Sequence, residues 1–204
     1  MNTPAEYFDQ LFQGNDDPWA FRQRWYEKRK RDLTLACLPR QRYDRVFEPG
    51  CANGELSVAL AQRCDELLVM DLSERAVALA NQRLADCPTA HAVQGHLPGD
   101  WPAGTFDLVV LSEVGYYLDA AAWREVIGKV LSSLAPGGSV LACHWLHPID
   151  GAPLHGRQVH QLLDEGLGLH KAVSHQEADF MLEVWCVVPC AIDLDEQALV
   201  KPEQ

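Results

Sequence analysis

Nine residues, Val46-Phe47-Glu48-Pro49-Gly50-Cys51-Ala52-Asn53-Gly54, run from an apolar stretch through a carboxylate into a glycine-bearing turn. At the end of a strand such a turn lets a ligand approach the backbone, which is where open α/β sheets bind their ligands. The third glycine of the G-x-G-x-x-G pattern that cradles a pyrophosphate is missing, and Glu48 and Glu55 flank the turn with negative charge, so a dinucleotide is disfavoured. An acidic rim suits cationic groups instead. Asp71 lies 17 residues after Gly54 at the end of a second apolar run, where its two oxygens can accept from both hydroxyls of a ribose. Gly95-His96-Leu97 follow a third run, placing a backbone amide for the edge of an adenine and Leu97 for one face of the ring. Each feature alone is weakly specific; three in order, each after a strand, point to a bound nucleoside with cationic substituents.

The elements that must position these groups follow from alternating apolar runs and amphipathic stretches between residues 45 and 145, the pattern of βαβ units and a parallel sheet. Strands are predicted over 45–48, 66–71, 89–94, 106–112 and 139–144, with helices over 55–64, 74–86 and 120–134. Ser73 is a plausible N-cap for the second helix, with Glu74 in its first turn. Leu108 to Leu111 are apolar without interruption, as suits a central strand, and Ala135-Pro136-Gly137-Gly138 should break the helix before the fifth strand. Two further strands, 169–176 and 180–188, are separated by only three residues and so form an antiparallel hairpin. The first 40 residues, rich in aromatics from Tyr7 to Tyr26, should form helices packed over one edge of the sheet. The expected fold is a single domain over 1–204, with a helical lid over 1–40 and, over 41–190, a Rossmann-like core whose seven-stranded, mostly parallel sheet ends in the hairpin.

Of the 204 residues, 29 are acidic and 17 basic, a net charge of −12, so most of the surface repels a phosphate backbone and no nucleic acid partner is expected. The basic segment from Arg22 to Arg31 is either a solvated helix face or a site for an anionic group. The seven cysteines lack C-x-x-C spacing and read as reduced thiols of a cytoplasmic protein. No membrane partner is expected, since no leader pattern and no apolar run of spanning length is present.

Taken as a set, Glu48-x-Gly50-x-x-x-Gly54, Asp71, Gly95, Phe106-Asp107-Leu108-Val109-Val110 and Leu134-x-Pro136-Gly137-Gly138 resemble the successive motifs of the class I S-adenosylmethionine (SAM)-dependent methyltransferases. SAM carries a sulfonium and an ammonium, in keeping with the acidic rim. The resemblance implies a SAM site at Arg29, Glu48, Gly50, Cys51, Gly54, Asp71, Leu72, Gly95, His96, Leu97 and Ser112. Ala52 replaces the family's usual middle glycine, and His96 stands where an acid often accepts from the adenine amino group. Asp17-Pro18-Trp19-x-Phe21, Arg24-Trp25-Tyr26-Glu27-x-Arg29-Lys30, Ser112-Glu113-Val114-x-Tyr116-Tyr117-Leu118 and His144-Trp145-x-His147-Pro148 are similar to the NodS-like methyltransferases of nodulation factor synthesis. That closer resemblance implies N-methylation of the amine exposed when a terminal N-acetylglucosamine is deacetylated.

Methyl transfer to an amine needs an unprotonated nucleophile held about 3 Å from the methyl carbon. Glu113 and His144, just past the fourth and fifth strands, are the candidates to accept the amine proton or orient the amine. Trp19, Tyr26, Tyr116, Tyr117 and His147 are the candidate acceptor-binding residues, with Arg29 for the cofactor's carboxylate. His144-x-x-His147 as a metal pair is the minor reading, because an extended strand end places two such ligands poorly; no metal is expected. The alternatives are N- or O-methylation of an unrelated small metabolite, and a non-catalytic SAM-binding protein.

Overall fold

The computed structural model describes residues 2–188 and 190. Seven strands form one sheet, β1 (Tyr43–Pro49), β2 (Cys64–Asp71), β3 (Ala90–Gln94), β4 (Phe106–Ser112), β5 (Leu134–Trp145), β6 (His170–Gln176) and β7 (Phe180–Cys186), in the order β3-β2-β1-β4-β5-β7-β6. The pairs from β3 to β5 are parallel, and β7 runs antiparallel between β5 and β6. The chain order reverses between β1 and β4, and this switch point opens a crevice at the carboxyl ends of the strands. The predicted seven-stranded sheet with its terminal hairpin is the observed one.

Val46 and Phe47 of β1 and Leu108 to Leu111 of β4 are almost completely buried, because helices cover both faces. On one face, α5 (Ala120–Ser133) contributes Trp123, Val126 and Val130, and α6 (Gly156–Leu167) contributes Val159 and Leu163. On the other, α3 (Glu55–Ala61) supplies Leu56 and Leu60, and α4 (Glu74–Arg83) supplies Ala80. Ser73 caps α4 as expected, accepting from the Ala76 amide. Asp107 lies at the far end of β4, where its carboxylate takes the amides of Asp44 and Arg45 at 2.8 Å and the Arg40 guanidinium at 2.9 Å. It clamps the amino ends of β4 and β1 together.

Three expectations are corrected. The strand β5 begins at Leu134 instead of 139, because Leu134 pairs with Phe106 before a register irregularity restores pairing at Leu108 and Ser139. Helix α6, for which no element was expected, runs from a capping box between His155 and Gln158 to Gly168 in the left-handed conformation; Val159, Leu163 and Leu167 recur at helical spacing along it. Cys186 and Cys190 are joined as a disulfide across Cα atoms 5.5 Å apart, while Cys37, Cys51, Cys64, Cys87 and Cys143 are free. Among the described residues, no helix is long and apolar enough to cross a membrane.

The lid consists of α1 (Ala5–Phe12) and α2 (Trp25–Ala36). It is stapled down by specific bonds: the Thr3 amide donates to Tyr117 O at 2.8 Å, and the Asp119 amide to Asn2 Oδ1 at 2.9 Å. Phe12 packs with Ala76 and Leu79 of α4. Between the helices, Asp17 accepts from the amides of Phe21 and Arg22 and from the side chain of Asn53, tying the segment to the glycine turn.

Candidate active site

A cavity of about 680 Å³ lies between the lid and the carboxyl ends of β1, β2, β3, β4 and β5. Its floor at the first turn is set by backbone. Gly50 and Cys51 donate to Met70 O of β2 at 2.7 and 3.1 Å. Gly50 has φ +76°, and a Cβ there would lie 3.1 Å from two Val114 atoms, so the turn and the segment after β4 touch only because the side chain is absent. Ala52 adopts φ +49° without being glycine, and its amide donates to Asp71 Oδ2 at 2.9 Å. The other oxygen, Oδ1, takes the Ser73 amide at 3.0 Å. Each carboxylate oxygen keeps acceptor capacity for a ribose hydroxyl. Desolvation in the cavity wall raises the pKa of Asp71, and the amides of Ser73 and Ala52 pull it back.

Glu48 is buried, takes the Ser57 hydroxyl at 2.6 Å, and has no cation beside it among the described residues. Burial, opposed by the Ser57 bond and reinforced by Asp71, pushes its carboxyl up to about 8. Such a group gains from a ligand cation. Glu55 is different: Arg83 at 2.8 Å, Arg22 at 3.1 Å and Arg31 at 3.9 Å neutralise it, so the acidic rim rests on Glu48 and Asp71.

Glu48, Gly50, Cys51, Asp71, Leu72, Gly95, His96, Leu97 and Ser112 all line the cavity, as expected. Gly54 and Arg29 do not. Gly54, with φ +79°, starts α3 and lies where a Cβ would press on Ala80; it sets the direction of the helix. Arg29 is drawn away by a bidentate pair with Glu177 at 2.7 and 2.8 Å, just before β7, and the cavity guanidinium two residues on belongs to Arg31, which donates to Phe21 O at 2.9 Å. His96 turns its imidazole to Asp100, whose carboxylate also takes the His96 amide at 3.0 Å.

Tyr26, Tyr116 and Tyr117 line the cavity with Tyr7, Phe8 and Trp145, and Trp19 lines it too, packed on the same Phe12, Ala76 and Leu79 cluster as Ala52 of the glycine turn. Trp19 also stacks on Phe21 at 5.4 Å and meets Phe12 edge-on at 5.7 Å. The Tyr26 hydroxyl has no hydrogen-bond partner among the described residues, and the ring packs edge-on against Trp145 and Phe180. His147 does not line the cavity: it is half exposed and bonded to Asp179 at 2.7 Å.

Neither expected proton acceptor is free to act as one. Glu113, with φ +56° in a region costly for a side-chain-bearing residue, holds Lys30 of α2 at 2.7 Å on Oε1. Its Oε2 accepts from the Trp145 amide at 3.0 Å and from the Tyr116 hydroxyl. It joins the lid, the 3₁₀ turn Gly115–Tyr117 and the end of β5. Burial pulls the pKa of Lys30 down, but the Glu113 carboxylate, with Cys143 and Glu27, pushes harder and keeps the ammonium charged.

His144 is fully buried and outside the cavity. Its Nε2 accepts from the Gly115 amide at 3.1 Å, so the proton sits on Nδ1, which faces His160 Nε2 at 3.1 Å. The same logic leaves the His160 proton on Nδ1, donated to Glu183 at 2.7 Å. Burial, then His160, drives the pKa of His144 well below the ordinary histidine value. This chain holds the 3₁₀ turn in place.

Residues 46–138 match the family model described as "Methyltransferase domain". A crystal structure of a putative methyltransferase from Pseudomonas syringae is 55% identical, with a TM-score of 0.72, covering 80% of this chain and 99% of that one. The N-methyltransferase NodS from Bradyrhizobium japonicum in complex with S-adenosyl-L-homocysteine is 27% identical, with a TM-score of 0.79, covering 92% of this chain and 100% of that one. Nodulation protein S of Azorhizobium caulinodans is 31% identical over 143 residues, 68% of this chain and 69% of the relative. Against Nodulation protein S of Sinorhizobium fredii, the chain spans 59% of the relative's length.

Proposed function

The chain belongs to the class I SAM-dependent methyltransferases, among the relatives of Nodulation protein S, and on that footing we propose that it methylates the free amine of a de-N-acetylated amino sugar or oligosaccharide. The observation that carries this reading is the two-ended cavity. One end presents Asp71, Glu48 and the Gly50 turn to a cationic nucleoside. The other is a wall of Tyr7, Phe8, Tyr116, Tyr117 and Trp145, and such faces suit the apolar faces of a sugar and stabilise cations.

SAM, when bound, supplies an electrophilic methyl carbon on a sulfonium. The protein's own groups fit it. Asp71 at the end of β2 would hold the ribose, Leu97 would cover the adenine, and the side-chain-free Gly50 turn would leave room for the amino-acid arm. Arg31 is the guanidinium we assign to its carboxylate in place of Arg29, because Arg31, unlike Arg29, lines the cavity. The aromatic wall would stabilise the positive charge that the acceptor nitrogen takes up, with no covalent intermediate on the enzyme. The lid excludes water.

The test is titration of the protein with S-adenosylhomocysteine (SAH) and separately with NADH, followed by a methyl-transfer assay on glucosamine-terminated chitooligosaccharides. SAH binding with turnover of these acceptors is expected. SAH binding with turnover only of unrelated amines or hydroxyl compounds would replace the acceptor and keep the reaction; NADH binding in place of SAH would end the proposal.

A further inference from the structure

The acceptor amine reaches the cavity at neutral pH as an ammonium and must lose a proton before its lone pair can attack. Besides Glu48 and Asp71 beneath the cofactor position, three carboxylates line the cavity: Glu27, Glu55 and Glu113. Three arginines neutralise Glu55. Both oxygens of Glu113 are engaged, one by Lys30 and the other by the Trp145 amide and Tyr116. Lys30 is itself held as an ammonium between Glu27 at 3.1 Å and Glu113 at 2.7 Å.

Glu27 remains. It lines the cavity from α2, only 8% exposed, and among the described residues its partner is Lys30, whose ammonium lies nearest Oε2; no hydrogen bond among the described residues engages Oε1. The charged and titratable groups facing it are Lys30 and Tyr26 on its own helix, Glu113 after β4, and Cys143 on β5. Two carboxylates against one ammonium leave this corner with one uncompensated negative charge, the complement of a single substrate cation.

We infer that Glu27 is the catalytic group that binds the acceptor's ammonium and takes its proton. The inference rests on the methyl-transfer reading but not on the sugar. In the step, Oε1 accepts a proton from R–NH₃⁺, and the freed nitrogen lone pair forms the N–C bond to the methyl. The C–S bond breaks with its electron pair going to sulfur. The products are a secondary ammonium and the neutral thioether, and the Glu27 proton returns to solvent when they leave.

Two measurements test this. In the first, SAH-saturated protein is titrated calorimetrically with n-butylammonium and with n-butanol. Wild type should prefer the ammonium, and Glu27→Gln should weaken it by about tenfold or more with SAH and butanol binding unchanged. Glu27→Asp, which keeps the charge, should retain most of the preference. No preference in wild type, no loss in Glu27→Gln, or joint loss of SAH and butanol binding would each overturn the assignment.

In the second, methylation of de-N-acetylated chitotetraose is followed against pH. Glu27→Gln should fall by about 100-fold near neutrality and recover as rising pH deprotonates the amine in solution. A fall without that recovery would assign Glu27 to packing and overturn the role. A wild type inactive on this acceptor would sink the sugar reading, and the alkylammonium titration would still decide Glu27.

Discussion

At the cofactor end of the cavity, the groups that meet a ligand come from strand ends that are neighbours in the sheet, and the turns after β1 and β2 hold each other. Ala52 and Ser73 amides fix Asp71, and Met70 O fixes Gly50. At the acceptor end, the groups come from segments far apart in the chain: Lys30 reaches Glu113 across 83 positions, and Glu113 reaches the Trp145 amide across 32. The first end is built from backbone amides and small residues, the second from ion pairs and aromatic side chains meeting at one strained carboxylate. Damage to the first end should therefore cost ligand affinity with little loss of fold, and damage to the second should cost stability with little loss of cofactor affinity.

The largest effect expected is at Glu113. Replacing it with Ala strands the buried Lys30 ammonium with Glu27 alone and frees the Tyr116 hydroxyl and the Trp145 amide, at a cost of about 3–5 kcal/mol in urea unfolding. SAH affinity of the folded fraction should stay within a few-fold of wild type; a tenfold loss would dissolve the contrast. Asp71→Ala should do the reverse, weakening SAH by about 1.5–3 kcal/mol in calorimetry while the unfolding midpoint moves little.

Glu48 sharpens the contrast through pH. Its carboxyl is raised to about 8, so between the ordinary carboxylate range and that value the folded protein binds more protons than the unfolded one. Its contribution to stability then declines as pH rises through that window. A ligand ammonium beside it favours the ionised form, so SAH affinity should climb by about tenfold per pH unit below 8 and level off above it. Glu48→Gln should flatten that rise, and a wild-type affinity independent of pH would remove Glu48 from the ammonium site. The smallest effect is at Ala52, whose positive φ is unfavourable for a residue with a Cβ. Ala52→Gly should relieve that strain and raise stability by about 0.5–1 kcal/mol in urea unfolding, with SAH affinity unchanged.

The same contrast explains how far the site was legible. Asp71, Gly50, Gly95 and Leu97 were readable because each follows directly from a strand and a turn, a local pattern with a local cause. Arg29 was misassigned because position on a basic helix does not say which guanidinium faces inward; Glu177, 148 residues away, decided that. His144 was misassigned because a histidine at a strand end looks available until His160, on a helix that was not expected, covers it. That helix was the larger omission in the fold. Its signal was present in Val159, Leu163 and Leu167, but His155 is an uncommon cap and the loop before it carries two prolines, Pro148 and Pro153.

The sequence by itself determined the order of strands and helices through residue 145, the terminal hairpin, and the backbone turns that shape a nucleoside site, because apolar period and glycine placement act over a few residues. Only the tertiary structure decided which charges are spent and which are free. Glu55 and Glu113 are consumed by partners, His144 is locked into a buried chain, and Glu27 is left with an open oxygen. The physical reason is that a carboxylate's role depends on the charges and amides around it in space, and those are supplied by segments that meet only once the lid has packed onto the sheet.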